Sequence, residues 1–423
     1  MALGPSLLFD KSSLESLNLD EAVMLDNFYR STITPLFFVE CLADLEKHIR
    51  STSTPEQLVG SLANRTPDMQ GVPNVHHLQI LSAELMREFD FTKVMGRVVL
   101  AGGQPVQLGD RTGIIYQESD EAKAFQRWSN RQFLEVERDI AKRWRRGLTA
   151  IDFKAMVTRV SDEIGPWRTP KTLADAKEIA DAILDYLEPE FLLLFGLDLL
   201  GLPEAKTQVI KEWKNSRKPN LRQYVPYFVF LLTINLFFCL VLPTQLLRNV
   251  KSSHQVDLAY LYYLPFCSVF TSNDNFHVQT APLFLGPMQD FVKGDDFKAD
   301  MKRLVEHYSA LPPEVLRTGL SNFASHPPED ESFITTLMWN KYRPTWRSLR
   351  DAPRKPKDPE EDRLLIERLK QMSHSPDLQP AEYRDGDSVD YVAMQGIVRP
   401  QKGKWLRFSQ EQIDGMRERG ELT

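Results

Sequence analysis

The sequence predicts an α/β fold in which helices flank a parallel sheet, and three observations support this prediction. Residues 1–50 alternate between short apolar runs and amphipathic stretches in the order strand, helix, strand, helix. Core-like patterning of the same kind returns at about residue 221 and continues to residue 312. Acidic residues directly follow or precede these apolar runs, which is where parallel sheets bind ligands.

The first 50 residues contain two predicted strand–helix units. Residues 6–10 are a short apolar strand, and Asn18 or Asp20 can cap the helix that follows. Residues 33–38 are rich in β-branched and aromatic side chains, which predicts a second strand. We expect the second helix to run over residues 39–49.

Residues 51–220 are predicted to be a mostly helical insertion that separates two parts of the sheet. Prolines punctuate the polar stretch 51–74, which predicts a loop. The stretch 96–117 contains two β-prone runs around adjacent glycines, which predicts a β-hairpin. Amphipathic patterning over residues 119–148 and 172–187 predicts helices.

After the insertion, the sheet is predicted to resume over residues 221–312. The 19 residues 225–243 carry no charge, and this length is sufficient for a membrane span. Pro226, Thr233 and Asn235 interrupt the apolar run, so we interpret it as a buried core helix and keep a membrane-anchored protein as the alternative. A short helix, a strand and a longer helix complete this part.

Residues 313–423 are predicted to be a basic, proline-rich C-terminal extension with little packing. Within residues 341–370, ten Lys or Arg residues outnumber six acidic residues, which gives this part a local positive charge. Six prolines lie between residues 327 and 359, and this density favours an extended chain.

The composition restricts the class of protein. The formal net charge of −6 gives no general attraction to nucleic acid, so any such binding must use local basic patches. Cys41, Cys239 and Cys267 have no metal-ligand spacing and predict no disulfide framework, which favours a reducing cytoplasm. Residues 1–9 lack a signal-peptide pattern, and we expect a cytoplasmic protein without a membrane partner.

Four acidic residues are the main functional candidates. Asp10 and Asp274 end apolar, strand-like runs. Glu40 follows another apolar run, and Asp257 opens a helix-like stretch. Carboxylates at the carboxyl edge of one parallel sheet would converge, and they would repel one another unless cations lay between them. Oxygen ligands favour Mg²⁺ or Mn²⁺, so the sequence predicts a site for metal-assisted phosphodiester hydrolysis.

Each of these acids also has an ordinary structural explanation. Asp10 and Asp257 could each cap the helix that follows, and Asp274 could be a turn residue. Glu40 could be favoured by the dipole of the second predicted helix. Asp44 lies one helical turn after Glu40 and is a fifth candidate ligand. Its alternative role is an ion pair with the neighbouring Lys47 or His48.

The placement of the four acids resembles the PIN-domain (PilT N-terminal) nuclease superfamily, whose members use four acids to bind divalent metal and cleave RNA. In chain order, the four candidates match the four acids of that family. The stretch 271–276, TSNDNF, is similar to the family's Thr-x-Asp-x-x-Phe pattern, with Ser272 at the hydroxyl position and Phe276 one residue early. The resemblance covers about residues 1–50 and 225–310, and it points to a bacterial PIN-like group with a long insertion.

The resemblance implies that residues 1–50 and 221–312 form one discontinuous PIN-like core. It also implies four catalytic residues that bind Mg²⁺ or Mn²⁺: Asp10, Glu40, Asp257 and Asp274. The metal would activate water and stabilise the departing oxygen, so no protein nucleophile is required. The predicted function is therefore a metal-dependent endonuclease acting on RNA. The alternative is a catalytically inactive PIN-like scaffold that binds RNA or a protein partner, such as an inhibitor.

Basic and polar side chains are candidates for substrate contact. The cluster 142–146 combines four cations with Trp144, an indole that could stack on a base. The alternative is a solvated helix end whose cations favour the helix dipole. Ser12 and Ser272 could orient water or phosphate, or could serve only in turns. The candidate substrate contacts are Lys142, Arg143, Arg145, Arg146, Arg217, His254 and Asn273.

Overall fold

Strands and helices alternate along the chain. A computed structural model describes residues 4–47, 53–88, 91, 95–100, 102–108, 111–150, 152–165, 167–247, 254–351, 363–364, 367 and 391–420. The strands are β1 (Ser6–Phe9), β2 (Arg30–Ile33), β3 (Gly71–Pro73), β4 (Gln104–Leu108), β5 (Arg111–Tyr116), β6 (Val269–Ser272), β7 (Asp290–Lys293), β8 (Tyr391–Met394), β9 (Gln401–Lys402) and β10 (Trp405–Leu406).

Helices outnumber strands in the described part of the chain. Those before residue 200 are α1 (Lys11–Ser16), α2 (Leu19–Phe28), α3 (Pro35–Ala43), α4 (Pro55–Arg65), α5 (His77–Leu85), α6 (Asp120–Ser129), α7 (Glu135–Thr149), α8 (Phe153–Ile164), α9 (Leu173–Tyr186) and α10 (Pro189–Leu199). Those after it are α11 (Lys206–Asn215), α12 (Leu221–Tyr224), α13 (Pro226–Val241), α14 (His254–Leu261), α15 (Asn275–Thr280), α16 (Gly294–Ser309), α17 (Pro313–Leu316), α18 (Leu320–Phe323), α19 (Ile334–Tyr342), α20 (Trp346–Asp351) and α21 (Gln410–Glu418).

Five parallel strands form the central sheet in the order β3-β2-β1-β6-β7. The predicted α/β fold with a parallel sheet between helices is therefore confirmed. The chain first proceeds outward from β1 to β2 and β3, and it later returns to place β6 on the other side of β1. The strand order reverses between β1 and β6, and such a reversal opens a crevice at the carboxyl ends of the strands.

The second strand lies earlier than the sequence pattern predicted. Only the first residue of the predicted strand 33–38 belongs to β2, and the remainder begins helix α3. The Oγ1 atom of Thr34 accepts a hydrogen bond from the backbone N–H of Phe37 at 3.0 Å, and Pro35 takes the first helical position. The aromatic residues that suggested a strand are thus in a helix, and Glu40 lies in the second turn of that helix.

One strand of the sheet comes from the segment predicted to be an insertion. The stretch 51–74, predicted to be a loop, contains α4 and β3, and β3 pairs in parallel with β2. The carboxylate of Asp26 accepts backbone hydrogen bonds from Met69 and Gln70 at 3.2 and 2.8 Å, which fixes the turn before β3. A hairpin lies within the predicted stretch 96–117, because β4 and β5 pair in antiparallel fashion. Its first strand follows the adjacent glycines, however, and the run 97–100 before them is not a strand.

Helix α13 is the core helix that the sequence predicted for residues 225–243, and this prediction is confirmed. Most of its side chains are buried, and it packs against α5, α8, α9 and α10. It also contacts α14, the helix that carries Asp257. Among the described residues, no helix combines the length and the apolar character that crossing a bilayer requires.

Glu84 of α5 caps the buried N-terminus of α13. Its two carboxylate oxygens accept the backbone N–H groups of Tyr227 and Phe228, both at 2.8 Å. We expect Glu84→Ala to lower the free energy of unfolding by about 2–3 kcal/mol, because two buried donors lose their acceptor. Urea denaturation measures the change, with Glu88→Ala, an exposed acid just after α5, as the control. Equal effects of the two substitutions would contradict the capping role.

The C-terminal segment is better packed than predicted. Residues 313–351 contain four short helices, and Trp339 and Trp346 bury their indoles in the core because large aromatic side chains gain most from leaving water. Strand β8 pairs in parallel with β5, and β9 and β10 form a hairpin. The prediction of an extended, poorly packed extension is therefore wrong for residues 313–351 and 391–420. Most of the proline-rich part between them lies outside the described residues.

Candidate active site

The carboxyl ends of β1 and β6 lie side by side where the strand order reverses. Asp10 directly follows β1, and Asp274 lies two residues after β6. Each carboxylate also caps the short helix that follows, since Asp10 accepts from the N–H of Ser13 at 2.9 Å and Asp274 accepts from that of Phe276 at 2.7 Å. The structural roles that the sequence left open are therefore present, and they hold both carboxylates at the crevice.

Asp10 is buried, and several donors surround its carboxylate. Ser272 donates to Oδ2 at 2.6 Å, Ser12 donates to both oxygens at 3.0 and 2.8 Å, and Nδ1 of His277 lies 3.3 Å from Oδ2. Burial alone would raise the pKa of Asp10, but the hydrogen bond and the charge of His277, with the bond from Ser272, hold it below its ordinary value. The two serines, expected to orient water or phosphate, hydrogen-bond to Asp10 in the structure.

His277 is a site residue that the sequence analysis did not identify. It is fully buried, its Nδ1 also lies 2.9 Å from the Oγ of Ser272, and its Nε2 lies 2.8 Å from the backbone oxygen of Asp257. Burial opposes protonation, but the contact with Asp10 and the charge of Asp257 raise the pKa of His277 to about 9, so the ring is an imidazolium at neutral pH. The available signal was its position three residues after Asp274, on the same face of the helix.

Glu40 and Asp257 enter the cluster from two different helices. Tyr260, one turn after Asp257, donates its hydroxyl proton to Oε2 of Glu40 at 2.7 Å. Burial raises the pKa of Glu40 to about 7, and the charge of Asp10 adds to this effect. Burial also raises the pKa of Asp257 to about 7, with repulsion from Asp274, Glu40 and Asp10 adding to it. The structure therefore brings the four acids close enough to act on one another.

Lys11 adds a positive charge within the same crevice. Its Nζ lies 2.8 Å from Asp44 and 3.9 Å from Glu40. Burial opposes its charge, but the carboxylates of Glu40 and Asp44 raise the pKa of Lys11 above its ordinary value. Asp44 also lies 3.7 Å from Lys47, so the ion pair considered as its alternative role is present. Lys11 carries no functional signal in the sequence, where it has the pattern of an ordinary first residue of a helix.

Helix α7 brings one cation of the cluster 142–146 to the rim of the crevice. The Nε of Arg145 donates to the backbone oxygen of Ala43 at 2.7 Å, and its guanidinium lies 3.6 Å from Asp44. Trp144 is half-buried, and it packs against the core with its indole nitrogen buried. The other three cations of the cluster are exposed: Lys142, Arg143 and Arg146.

The remaining candidates differ in their relation to the acids. Arg217 is exposed after α11 and contacts none of the four acids in the described part of the chain. His254 begins α14, and its ring packs on Phe276 with 5.7 Å between centroids. Asn273 lies at the end of β6, and its Oδ1 is buried without a hydrogen-bond partner among the described residues. Close packing holds this side chain, since a Cβ on Gly294 would lie 2.7 Å from its Cγ.

The side chains in the crevice fit a divalent cation by the chemistry of their donors. Carboxylate oxygens are the ligands that Mg²⁺ and Mn²⁺ prefer in proteins. No group of three or more His, Cys, Asp or Glu side chains in the described residues already surrounds a common metal position. Lys11 and His277 place positive charge at two sides of the crevice, so ligation would draw the carboxylates away from these partners.

Comparison with known proteins identifies no relative. Neither a protein-family model, nor a curated protein, nor a solved structure matches the chain. The features of the chain that bear on function are therefore the four acids, their positions beside the strand ends, and the order of the strands in the sheet.

Proposed function

We propose that the protein is a PIN-like, metal-dependent endonuclease that hydrolyses RNA. The observation that carries the proposal is the position of four carboxylates at the reversal of strand order, where the charges of Asp274, Glu40 and Asp10 add to the burial that raises the pKa of Asp257. They come from four places in the chain, and more than 200 residues separate Glu40 from Asp257. A bound Mg²⁺ or Mn²⁺ ion supplies the charge that activates water and stabilises the departing oxygen.

The protonation states divide the acids into two kinds. Asp10 stays ionised through its hydrogen bonds and the charge of His277, so it is ready to bind a cation. Glu40 and Asp257 have pKa values of about 7, so each is partly protonated at neutral pH. Glu40 and Asp257 would release those protons on binding a divalent cation, whose charge would offset the repulsion among the carboxylates. Tyr260 positions Glu40 through the bond of 2.7 Å.

RNA is the proposed substrate because the basic helix α7 reaches the rim of the crevice. Arg145 connects α7 to Asp44 at the rim, and the same helix carries the exposed Lys142, Arg143 and Arg146. With a net charge of −6, such a patch gives phosphate binding that is confined to one side of the site. All three cysteines are free and buried, which supports a cytoplasmic place of action.

A catalytically inactive scaffold for RNA or a protein partner is the second candidate, and one observation favours it. Lys11 and His277 already neutralise part of the acidic charge, at 2.8 Å from Asp44 and 3.3 Å from Asp10. In a scaffold, these internal cations would be the permanent partners of the carboxylates. The two candidates differ in whether divalent cations bind.

Titration with Mg²⁺ or Mn²⁺ at pH 7 is expected to release about one proton per site, because Glu40 and Asp257 are partly protonated beforehand. Calorimetry in two buffers of different ionisation enthalpy measures this release. The same cations are expected to raise Tm, since they bind only the folded state. Asp139→Asn, which removes an exposed acid, is the control that keeps both effects. Absence of binding at millimolar metal would favour the scaffold.

The double variant Lys142→Ala, Arg143→Ala is expected to weaken RNA binding and to reduce its salt dependence. Each lost phosphate contact lowers the slope of log K against log salt by about 0.7 for a single strand. Fluorescence anisotropy with single-stranded and hairpin RNA over a range of salt concentrations measures both quantities. The matched control is Lys154→Ala with Arg159→Ala, two exposed cations of α8. An equal effect of both double variants would show that only net charge matters.

A further inference from the structure

A second charged cluster lies at the opposite edge of the sheet, where the strands begin. Arg30 is the first residue of β2 and pairs in register with Ser6 of β1. The guanidinium of Arg343 donates to the backbone oxygen of Gly4 at 3.2 Å. Arg97 follows a glycine whose backbone oxygen accepts the hydroxyl proton of Ser6 at 2.6 Å. Three arginines from distant parts of the chain are thus anchored to the start of β1.

The three guanidinium groups affect one another, and no described acid pairs with them. Burial lowers the pKa of Arg30, and the charges of Arg343 and Arg97 lower it further. Burial and the charge of Arg97 likewise lower the pKa of Arg343. The Nε of Arg30 is buried and has no hydrogen-bond partner in the described part of the chain. Like charges held together in this way destabilise a fold unless an anion neutralises them.

The acidic residue that begins β7 at this edge does not neutralise the arginines. The carboxylate of Asp290 binds the Nζ of Lys341 at 2.8 Å and the hydroxyl of Tyr342 at 2.7 Å. Asp290 and Lys341 cancel each other's charge, so the three arginines have no counter-charge among the described acids. A carboxylate ligand would bring a single negative charge, whereas a phosphate monoester carries about two near pH 7. The several oxygens of a phosphate can also accept paired hydrogen bonds from the planar guanidinium groups.

We propose that Arg30, Arg97 and Arg343 form a binding site for a phosphate group, as a monoester or a diphosphate. The unpartnered Nε of Arg30 provides the buried donor, and the bond to Gly4 holds Arg343 in place. Arg97 is exposed and provides the solvent-facing side of the site. Because a strand of four residues spans roughly 13 Å, this site is separate from the acidic crevice and independent of the proposed nuclease function.

Calorimetric titration with inorganic pyrophosphate tests the proposal, in EDTA so that divalent metal contributes nothing. We expect saturable binding to the wild-type protein and a loss of about tenfold or more in affinity for Arg97→Gln and Arg30→Gln. Arg159→Gln removes the same charge from an exposed position of α8 and is expected to bind as the wild type does. Without pyrophosphate, Arg97→Gln is expected to raise Tm, since one repelling charge is gone.

Three further ligands identify the source of the phosphate. An RNA dinucleotide with a 5′-phosphate is expected to compete with pyrophosphate if nucleic acid ends occupy the site, whereas inorganic phosphate competes if the ligand is a small anion. The same dinucleotide with a 5′-hydroxyl is expected to compete in neither case. Absence of saturable pyrophosphate binding, or equal affinity of the wild type, Arg97→Gln and Arg30→Gln, would overturn the proposal. Neither result depends on metal binding or RNA cleavage at the acidic crevice.

Discussion

Asp10→Asn and Asp257→Asn are both expected to reduce RNA cleavage by about 10²–10³-fold or more, and to change the stability of the fold in opposite directions. Each substitution removes the charge of a proposed metal ligand and keeps the shape of the side chain. Both variants are therefore expected to lose the stabilisation that Mn²⁺ gives the wild type. Their stabilities without metal differ because the two carboxylates have different surroundings.

Asp10→Asn is expected to lower the free energy of unfolding by about 2–4 kcal/mol at pH 7, because it leaves the buried imidazolium of His277 without its carboxylate. If repulsion among the acids were the only effect, removing the charge of Asp10 would instead raise the free energy of unfolding. The difference arises because His277, Ser272 and the backbone N–H of Ser13 outweigh the effect of burial and hold the pKa of Asp10 below its ordinary value. A carboxyl group of this kind stabilises the folded state above its ordinary pKa and loses that effect as the pH falls.

Asp257→Asn is expected to raise the free energy of unfolding by about 1–2 kcal/mol at pH 8 without metal. The pKa of Asp257 is about 7 in the folded state against an ordinary 3.8, so protonation favours the folded state. The stability that protonated Asp257 gives the folded state is fully present below about pH 4, and it is lost as the pH rises to 7. The gain in the free energy of unfolding of Asp257→Asn over the wild type is therefore expected to grow between pH 4 and pH 7 and to stay constant above pH 7.

Urea denaturation of both variants between pH 4 and pH 8, with cleavage assays in Mn²⁺, measures all of these effects. Asp162→Asn, on the exposed face of α8, is the control for loss of an acid outside the site. Equal cleavage by the wild type and both variants would reject the catalytic assignment. Stability changes of the same sign in Asp10→Asn and Asp257→Asn would reject the different electrostatic surroundings described for them.

How much of the site is predictable from the sequence depends on whether its geometry is local. Asp10 and Asp274 were found because each follows an apolar strand, and a strand end is recognisable from a few neighbouring residues. His277 and Lys11 were missed because their roles exist only after folding. The pairing of β1 with β6 places His277 against Asp10 although 267 residues separate them. Sequence spacing carries no signal for a contact of this kind.

The fold shows the same division between local and non-local information. The strand β3 has three residues, of which one is glycine and one is proline, so it has no alternating pattern. Its position depends on Asp26, whose carboxylate accepts the backbone donors of the turn before it. Helix α3 could have been recognised from Thr34 and Pro35, a helix start that the strand-like aromatic run concealed.

Arg407→Met is expected to lower the free energy of unfolding by about 3–5 kcal/mol, because it leaves the carboxylate of Asp26 buried without its positive partner. Arg407 and Asp26 are each about 1% exposed, and their charged atoms lie 2.5 Å apart. Arg407 also binds Asp68, and Lys402 donates to the backbone oxygen of Thr66 at 2.8 Å. These buried bonds join the hairpin of β9 and β10 to the turn that leads into β3.

Because the same carboxylate of Asp26 holds that turn, the loss is expected to be concentrated at the outer edge of the sheet. Hydrogen exchange in Arg407→Met should increase at β3 and the hairpin before it increases at β1 and β6. Lys404→Met, an exposed cation of the same hairpin, is the matched control and should change stability by less than about 0.5 kcal/mol. Adding Asp26→Asn to Arg407→Met should recover part of the loss, since it removes the unpaired buried charge. Strictly additive losses in the double variant would mean that the two side chains stabilise the fold independently, and that the hairpin is held by its apolar contacts alone.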